Sequence, residues 1–220
     1  MSERKINEYY DQDYFDWQRQ HGEFGGKANT FQFLNSVRPS DTVLDFGCGG
    51  GFLLKNLNCA DRIGVEPNIN AHEQIKENGC RAFSSPSVAL LELGKECVDV
   101  IVSNNALEHC LNPYEELVSL YPLLKRGGTI HFCIPCDSYK WKYSPGDVNQ
   151  HFFSWSPMNA GNLFTHAGYD VVFSRADIRK WPPLYRRLAK LGWPVFNLLS
   201  RLYGRLARSW FQIEIKAIKR

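Results

Sequence analysis

No stretch of the chain approaches the ~18 consecutive apolar residues that a membrane-spanning helix requires. Nor does the N-terminus look like a leader, since Met1-Ser2-Glu3-Arg4-Lys5 runs into polar and aromatic residues rather than an apolar core. The expectation is a cytoplasmic protein. The seven cysteines are an odd number, scattered at positions such as Cys48, Cys59, Cys80, Cys97 and Cys110, which excludes a disulfide framework and suggests reduced thiols. One close pair, Cys133-Ile134-Pro135-Cys136, has metal or redox spacing, yet it has no second pair and sits in an apolar, strand-like run. Strand-end packing is the reading it favours. Internal repeats and low-complexity tracts are also missing, which leaves a single globular domain as the default for 220 residues.

What the chain does have is apolar and aromatic residues, 44% and 14% of the total, enough for one sizeable core. Its net charge of +3 is unevenly spread: residues 177–208 hold eight basic residues (Arg179, Lys180, Arg186, Arg187, Lys190, Arg201, Arg205, Arg208) against Asp177 alone, so the rest is acidic. The first forty residues, 1–40, look like an added cap crowded with Tyr9, Tyr10, Tyr14, Phe15, Trp17, Phe24, Phe31 and Phe33. Residues 41–220 form the main domain, with a basic insertion at about 177–208.

From Asp41 onward, short runs rich in β-branched residues alternate with helix-like stretches, the pattern of a parallel sheet covered on both faces. Strands are predicted at Thr42–Phe46, Arg62–Glu66, Cys80–Ser84, Cys97–Ser103, Thr129–Ile134, Tyr169–Phe173 and over Gln212–Lys219. Between them lie helices around Phe52–Leu57, Asn70–Asn78, from Pro86, from Pro113 to about Leu124 and over Ser156–Ala167, with Lys125–Gly128 as a turn.

A glycine cluster after the first strand and before a helix lets the backbone turn tightly and lets a ligand approach without a side chain in the way. An acid at the end of the next strand, Glu66, suits two ribose hydroxyls, which nucleotide cofactors of more than one class carry. A dinucleotide loop wants glycine at its first, third and sixth places; here Gly47 and Gly49 are followed by Phe52. No Gly-Lys-Ser/Thr follows, which excludes a P-loop. Asp45, just ahead of the loop, would oppose a pyrophosphate but attract a cationic amino-acid group.

Val43-Leu44-Asp45-Phe46-Gly47-Cys48-Gly49-Gly50-Gly51 resembles the first motif of the class I S-adenosylmethionine-dependent methyltransferases. Gly64-Val65-Glu66-Pro67-Asn68 resembles their second, Val98 to His109 their fourth-strand motif and Leu124 to Ile130 their fifth-strand motif, in the right order. The resemblance covers roughly residues 40–175. It implies an α/β, Rossmann-like, doubly wound sheet of seven strands in the order 3-2-1-4-5-7-6, with strand 7 antiparallel and helices on both faces. It implies S-adenosyl-L-methionine as cofactor, held by Asp45, Gly47, Cys48, Gly49, Gly51, Glu66 (ribose), Pro67, Ser85, Asn104 and Asn105. Ser84 and Ser85 stand where many relatives place an adenine-contacting acid.

Methyl transfer from a sulfonium is an in-line displacement, so a hydroxyl acceptor needs alignment and a base. The candidates are His151, between the fifth strand and the next helix, and His109, after the fourth. Asp137, Tyr139, Tyr143 and Asp147 flank the same loop and suit a polyol or sugar-like acceptor. Ubiquinone-pathway relatives carry Glu-x-x-Glu-His for a divalent metal; Asn105 replaces the first Glu here, and no metal is expected. In the insertion, Leu184, Leu188 and Leu191, then Val195, Leu198, Leu199, Leu202 and Leu206, repeat at helical spacing around Gly192-Trp193-Pro194, with Arg201, Arg205 and Arg208 on another face. Such leucines either dock on the domain or a second subunit, or rest with the arginines on an anionic membrane or a lipid-linked substrate over 181–208. Nucleic acid is not an expected partner, because no exposed sheet alternates aromatic and basic residues. The function expected is methyl transfer to a small-molecule acceptor, by preference on oxygen of a sugar, lipid-linked glycan or quinone-like compound. The alternative is a catalytically silent cofactor-binding module attached through its basic helices.

Overall fold

The structure, a computed structural model, describes residues 12–138, 140–145, 147, 150–207 and 211–220. Tyr9, Tyr10, Tyr139, Arg208 and Trp210, and the side chains of Tyr14, Phe15 and Trp17, lie outside the described residues. Helix α1 (Gln12–Phe33) leads into β1 (Thr42–Phe46), α2 (Phe52–Asn56), β2 (Asp61–Val65), α3 (His72–Glu77) and β3 (Arg81–Phe83). Then follow α4 (Pro86–Leu93), β4 (Val98–Asn104), α5 (Pro113–Leu120), β5 (Leu124–Cys136), α6 (Pro157–His166) and β6 (Tyr169–Asp177). The chain ends with α7 (Tyr185–Leu188), α8 (Trp193–Ala207) and β7 (Phe211–Lys219). The seven strands pair in the order 3-2-1-4-5-7-6, with β7 antiparallel to both β5 and β6.

Central strands apolar in both directions bury both faces of the sheet. Leu44 and Phe46 join Ile101, Phe132 and Ile134 in one layer, which packs on α6 through Ala160 and Phe164. Val43 joins Val100, Val102 and Cys133 in the other, packed on α2 through Leu53 and Leu54 and on α1 through Phe33. Ser85, Asn112 and Ser156 start α4, α5 and α6 by accepting a first-turn amide.

One expectation about local structure is corrected, and one open alternative is narrowed. Lys125–Gly128 is not a turn ahead of β5, because Leu124 already pairs with Val98 and the register slips between Val98 and Val100. Gly127, at φ +74°, absorbs that irregularity inside the strand. Most of the α8 leucines stand off the domain: Phe196, Ser200 and Gly204 form its seated face and Leu199 is half-buried, while Val195, Leu198, Leu202 and Leu206 are exposed. No helix among the described residues is long and apolar enough to cross a membrane.

The N-terminal aromatic stretch and the basic insertion, far apart in sequence, meet. Phe24 of α1 has ring contacts at 4.9–5.6 Å with Trp181, Tyr185, Trp193 and Phe196. This aromatic cluster joins α1, α7 and α8 beside the C-terminal edge of the sheet, where β1 and β4 end.

Candidate active site

The site begins where β1 stops. Gly47, Gly49 and Gly51 all have positive φ (69°, 52° and 76°), so the turn after Phe46 uses a backbone conformation that side chains disfavour. Gly47 has a second reason: a Cβ there would run into that of Ala106. The loop is held from the neighbouring strand, since the amides of Gly47 and Cys48 both donate to Val65 O, at 2.8 and 3.2 Å.

Glu66, just past β2, closes over this loop. Its Oε2 accepts from Gly49 N at 2.9 Å and its Oε1 from Asn68 N at 3.0 Å. Burial raises the Glu66 carboxyl above its usual range, and these two amide bonds pull it back down. Asp45 lies deeper, 2% exposed, and burial followed by the nearby Glu66 charge raises it well above the ordinary carboxylate range. Asp45 Oδ1 and Asn104 Oδ1 are buried without a hydrogen-bond partner, and both residues line one cleft. A ligand bringing ammonium and hydroxyl donors would satisfy oxygens that otherwise carry an uncompensated desolvation cost.

That cleft has a volume of about 400 Å³. Its floor is Asp45, Gly47, Cys48, Gly49 and Asn104; Asn105, His109 and His151 line it further, and Trp141 and Trp181 also contribute. One wall comes from α1, through His21, Gly22, Gly25, Gly26 and Asn29. Gly22 and Gly26 are one turn apart on α1, and a Cβ on either would come within 3.0 Å of Phe52, which follows the glycine loop. Their lack of side chains is what brings the helix against the loop. Gly51, Glu66, Pro67 and Ser85 lie outside the lining; Ser85 Oγ accepts from Val88 N at 3.2 Å as the cap of α4.

The other wall holds the histidines. His151 Nδ1 stands 3.0 Å from Asp137 Oδ1, and because a carboxylate only accepts, Nδ1 carries a proton, which in the neutral ring leaves the lone pair on Nε2. The His109 and His151 rings meet edge to face at 5.0 Å. The loop carrying His151 is tied down by Phe152 N to Glu108 O at 2.9 Å and Trp155 N to Pro135 O at 3.1 Å. Glu108 is fully buried with neither carboxylate oxygen hydrogen-bonded, His109 Nε2 stands 3.8 Å from its Oε1, and burial pushes its carboxyl up to about 8.

Glu108, His109 and His151 each place one ligand atom within 4.8 Å of the others. A cation held there would bind the deprotonated Glu108 and offset its burial, so these three residues offer either a hydrogen-bonding wall or a set of metal ligands. Asn105, at φ 56°, is held from outside this group: its Oδ1 accepts from Gln212 Nε2 at 2.8 Å, and Gln32 Nε2 of α1 donates in turn to Gln212 Oε1 at 3.3 Å. Sequence reasoning missed this relay, the role of Asp137 and the α1 glycines. Only the glycine pair left a signal, its four-residue spacing.

A family model described as a methyltransferase domain matches residues 17–173. The ribosomal protein L11 methyltransferase of Cupriavidus necator is 36% identical over 73 residues, which is 31% of this chain, and the chain spans only 24% of that relative's length. Among solved structures, the Haloferax volcanii methyltransferase in complex with the Trm112 activator has a TM-score of 0.67 at 15% identity, over 94% of this chain and 98% of that one. A SAM-dependent methyltransferase of Thermotoga maritima has a TM-score of 0.64 at 19% identity, over 99% of this chain and 97% of its own. Those two likenesses concern the fold.

Proposed function

Because the chain belongs to the class I S-adenosylmethionine-dependent methyltransferase family, we propose that its reaction is methylation of a hydroxyl on a small polar acceptor, with His151 as general base. The acceptor classes that fit are a sugar, a lipid-linked glycan or a quinone-like compound. Bound S-adenosylmethionine supplies an electrophilic methyl group on a sulfonium; the chain has to align the acceptor and take its proton.

Asp45, Asn104 and the Gly47–Gly50 backbone would hold the cofactor, with Glu66, beyond that lining, shaping the loop through the Gly49 amide and keeping lone pairs for ribose hydroxyls at its edge. His151 takes the acceptor proton at Nε2, while Asp137 fixes the tautomer and steadies the imidazolium that results. His109 packs on the His151 ring and keeps it facing the cleft. Trp141 and Trp181 provide apolar surface beside the reacting groups. The amide of Asn105, on the cleft lining, suits a hydroxylated acceptor, and the exposed leucines of α8 favour one carried on a lipid. The L11 methyltransferase match, over 24% of that protein, supports the donor side of the reaction and carries no acceptor with it.

One observation carries this reading: the His151–Asp137 pair, at 3.0 Å, stands on the wall of the cleft whose floor is the glycine loop. Labelled S-adenosylmethionine, offered with fractionated metabolite and lipid extracts, tests it. His151→Ala should bind cofactor within about twofold of the parent by calorimetry yet lose about 100-fold or more in turnover. Undiminished turnover in that variant refutes the base assignment. Folded protein that binds cofactor but releases no S-adenosylhomocysteine with any fraction refutes the acceptor reading and leaves the silent module.

A further inference from the structure

An amphipathic helix on a soluble domain ordinarily turns its leucines inward and its charges outward. Helix α8 does otherwise. Its seated face is Phe196, Ser200 and Gly204, spaced four residues apart, and Gly204 is packed so closely that an added Cβ would lie 3.0 Å from Arg179 Cα. Ser200 O also accepts from Lys180 N at 3.1 Å, fixing the helix roll. With that roll, Val195, Leu198, Leu202 and Leu206 form an outward stripe, from 42% to 83% exposed. Leu184 and Leu191, ahead of α8, are exposed as well.

Basic residues edge this stripe. At 100° per residue, Arg205 falls about 20° from Leu198, and Arg201 midway between Leu198 and Gly204, both exposed along one edge of the stripe. Arg186, Arg187 and Lys190 are exposed on the preceding turn. The one acid of the segment, Asp177, is engaged with Arg179 at 3.1 Å. A second copy of this face, docked about a two-fold axis, would bring cationic flanks together without acids between them. An anionic bilayer meets both features, taking the leucines among its acyl chains and the guanidinium groups among its headgroups.

We infer that the α8 face, centred on Leu198 and Leu202 and flanked by Arg201 and Arg205, seats the enzyme on an anionic phospholipid surface. The face lies on the same insertion whose Trp181 lines the cleft, so a seated enzyme presents that cleft near the headgroups. This gives the lipid-linked acceptor reading a location, and it rests on that reading only for its purpose. Vesicle binding is measured without turnover, so either can fail alone.

The test is co-sedimentation of the full chain with vesicles of phosphatidylcholine, with and without phosphatidylglycerol. Binding is expected only with the anionic lipid, weakened by added salt. Arg201→Gln with Arg205→Gln should lower it by about 10-fold or more, at roughly fivefold per basic residue. Leu198→Glu with Leu202→Glu should abolish it while cofactor affinity, read by calorimetry, stays unchanged as the check on folding. Three outcomes overturn the proposal: no binding by folded protein to anionic vesicles, binding indifferent to both double variants, or a dimer by light scattering that Leu198→Glu with Leu202→Glu dissociates.

Discussion

Glu66 Oε2 accepts a hydrogen bond from the amide of Gly49 at 2.9 Å, so the acid ending the second strand clamps the loop ending the first. Its other oxygen accepts from Asn68 N, and the carboxylate thereby organises the backbone as well as offering lone pairs to a ligand. Glu66→Ala leaves two buried amides without acceptors, and a loss of about 1–3 kcal/mol in stability is expected, with cofactor affinity falling alongside. Glu66→Gln keeps one carbonyl acceptor and should lie between. Urea unfolding and calorimetry on the two variants check this; equal stability for alanine and parent would show that the clamp contributes nothing.

The sheet was legible because its signals are local. Val43-Leu44 and Val98–Val102 announce buried strands, and glycines at 47, 49, 51, 79 and 168 mark turns, all with positive φ. Less legible were features that depend on contacts between distant segments. Leucine spacing in α8 says which residues share a face but not where that face points, and the seating of Ser200 and Gly204 turned it outward. Asp137 looked like a polar loop residue until the loop returned His151 to it. The Gln32–Gln212–Asn105 relay joins residues up to 180 positions apart, beyond the reach of any motif.

Glycines inside a helix normally weaken it, and Gly→Ala gains about 0.5–1 kcal/mol where space allows. At Gly26 the added Cβ meets the backbone carbonyl of Phe52, which cannot yield without moving the glycine loop. Gly26→Ala is therefore expected to destabilise by about 1–3 kcal/mol and to raise the KM for S-adenosylmethionine. At Gly22 the obstacle is the Phe52 ring. Gly22→Ala should cost less and be relieved by Phe52→Leu, whereas Gly26→Ala should not be. A double-mutant cycle by thermal unfolding separates the two.

Glu108 gives the protein a pH dependence of definite sign. Burial lifts its carboxyl from the ordinary 4.5 to about 8, so the folded state binds this proton more tightly than the unfolded chain. Stability from this group is undiminished below about 4.5, declines as pH rises toward about 8, and stays low above, by on the order of 2–5 kcal/mol. Glu108→Gln cannot ionise and should match the parent near pH 4.5 while exceeding it near pH 8.5. Denaturant midpoints across that range provide the measurement; parallel curves for the two proteins would mean that Glu108 is ionised in the native state.

Asp137 touches neither cofactor nor acceptor in the proposed reaction, and acts through His151. Its carboxylate holds the Nδ1 proton, so Asp137→Asn can stabilise the opposite tautomer by offering an N–H to Nδ1, leaving Nε2 protonated and unable to act as base. The expected loss in kcat is about 100- to 10,000-fold, with cofactor affinity and KM for the acceptor nearly unchanged. A merely structural role would instead lower stability and move both Michaelis constants. The split is sharpened by pH: if His151 is the base, Asp137→Asn alters the shape of the pH profile of kcat, which a merely structural role leaves unchanged. Asp137→Glu, which keeps an acceptor at the cost of a longer reach, should recover part of kcat. If Asp137→Asn leaves kcat intact, proton removal does not pass through this pair, and the acceptor must arrive already deprotonated or lose its proton to His109 or to solvent.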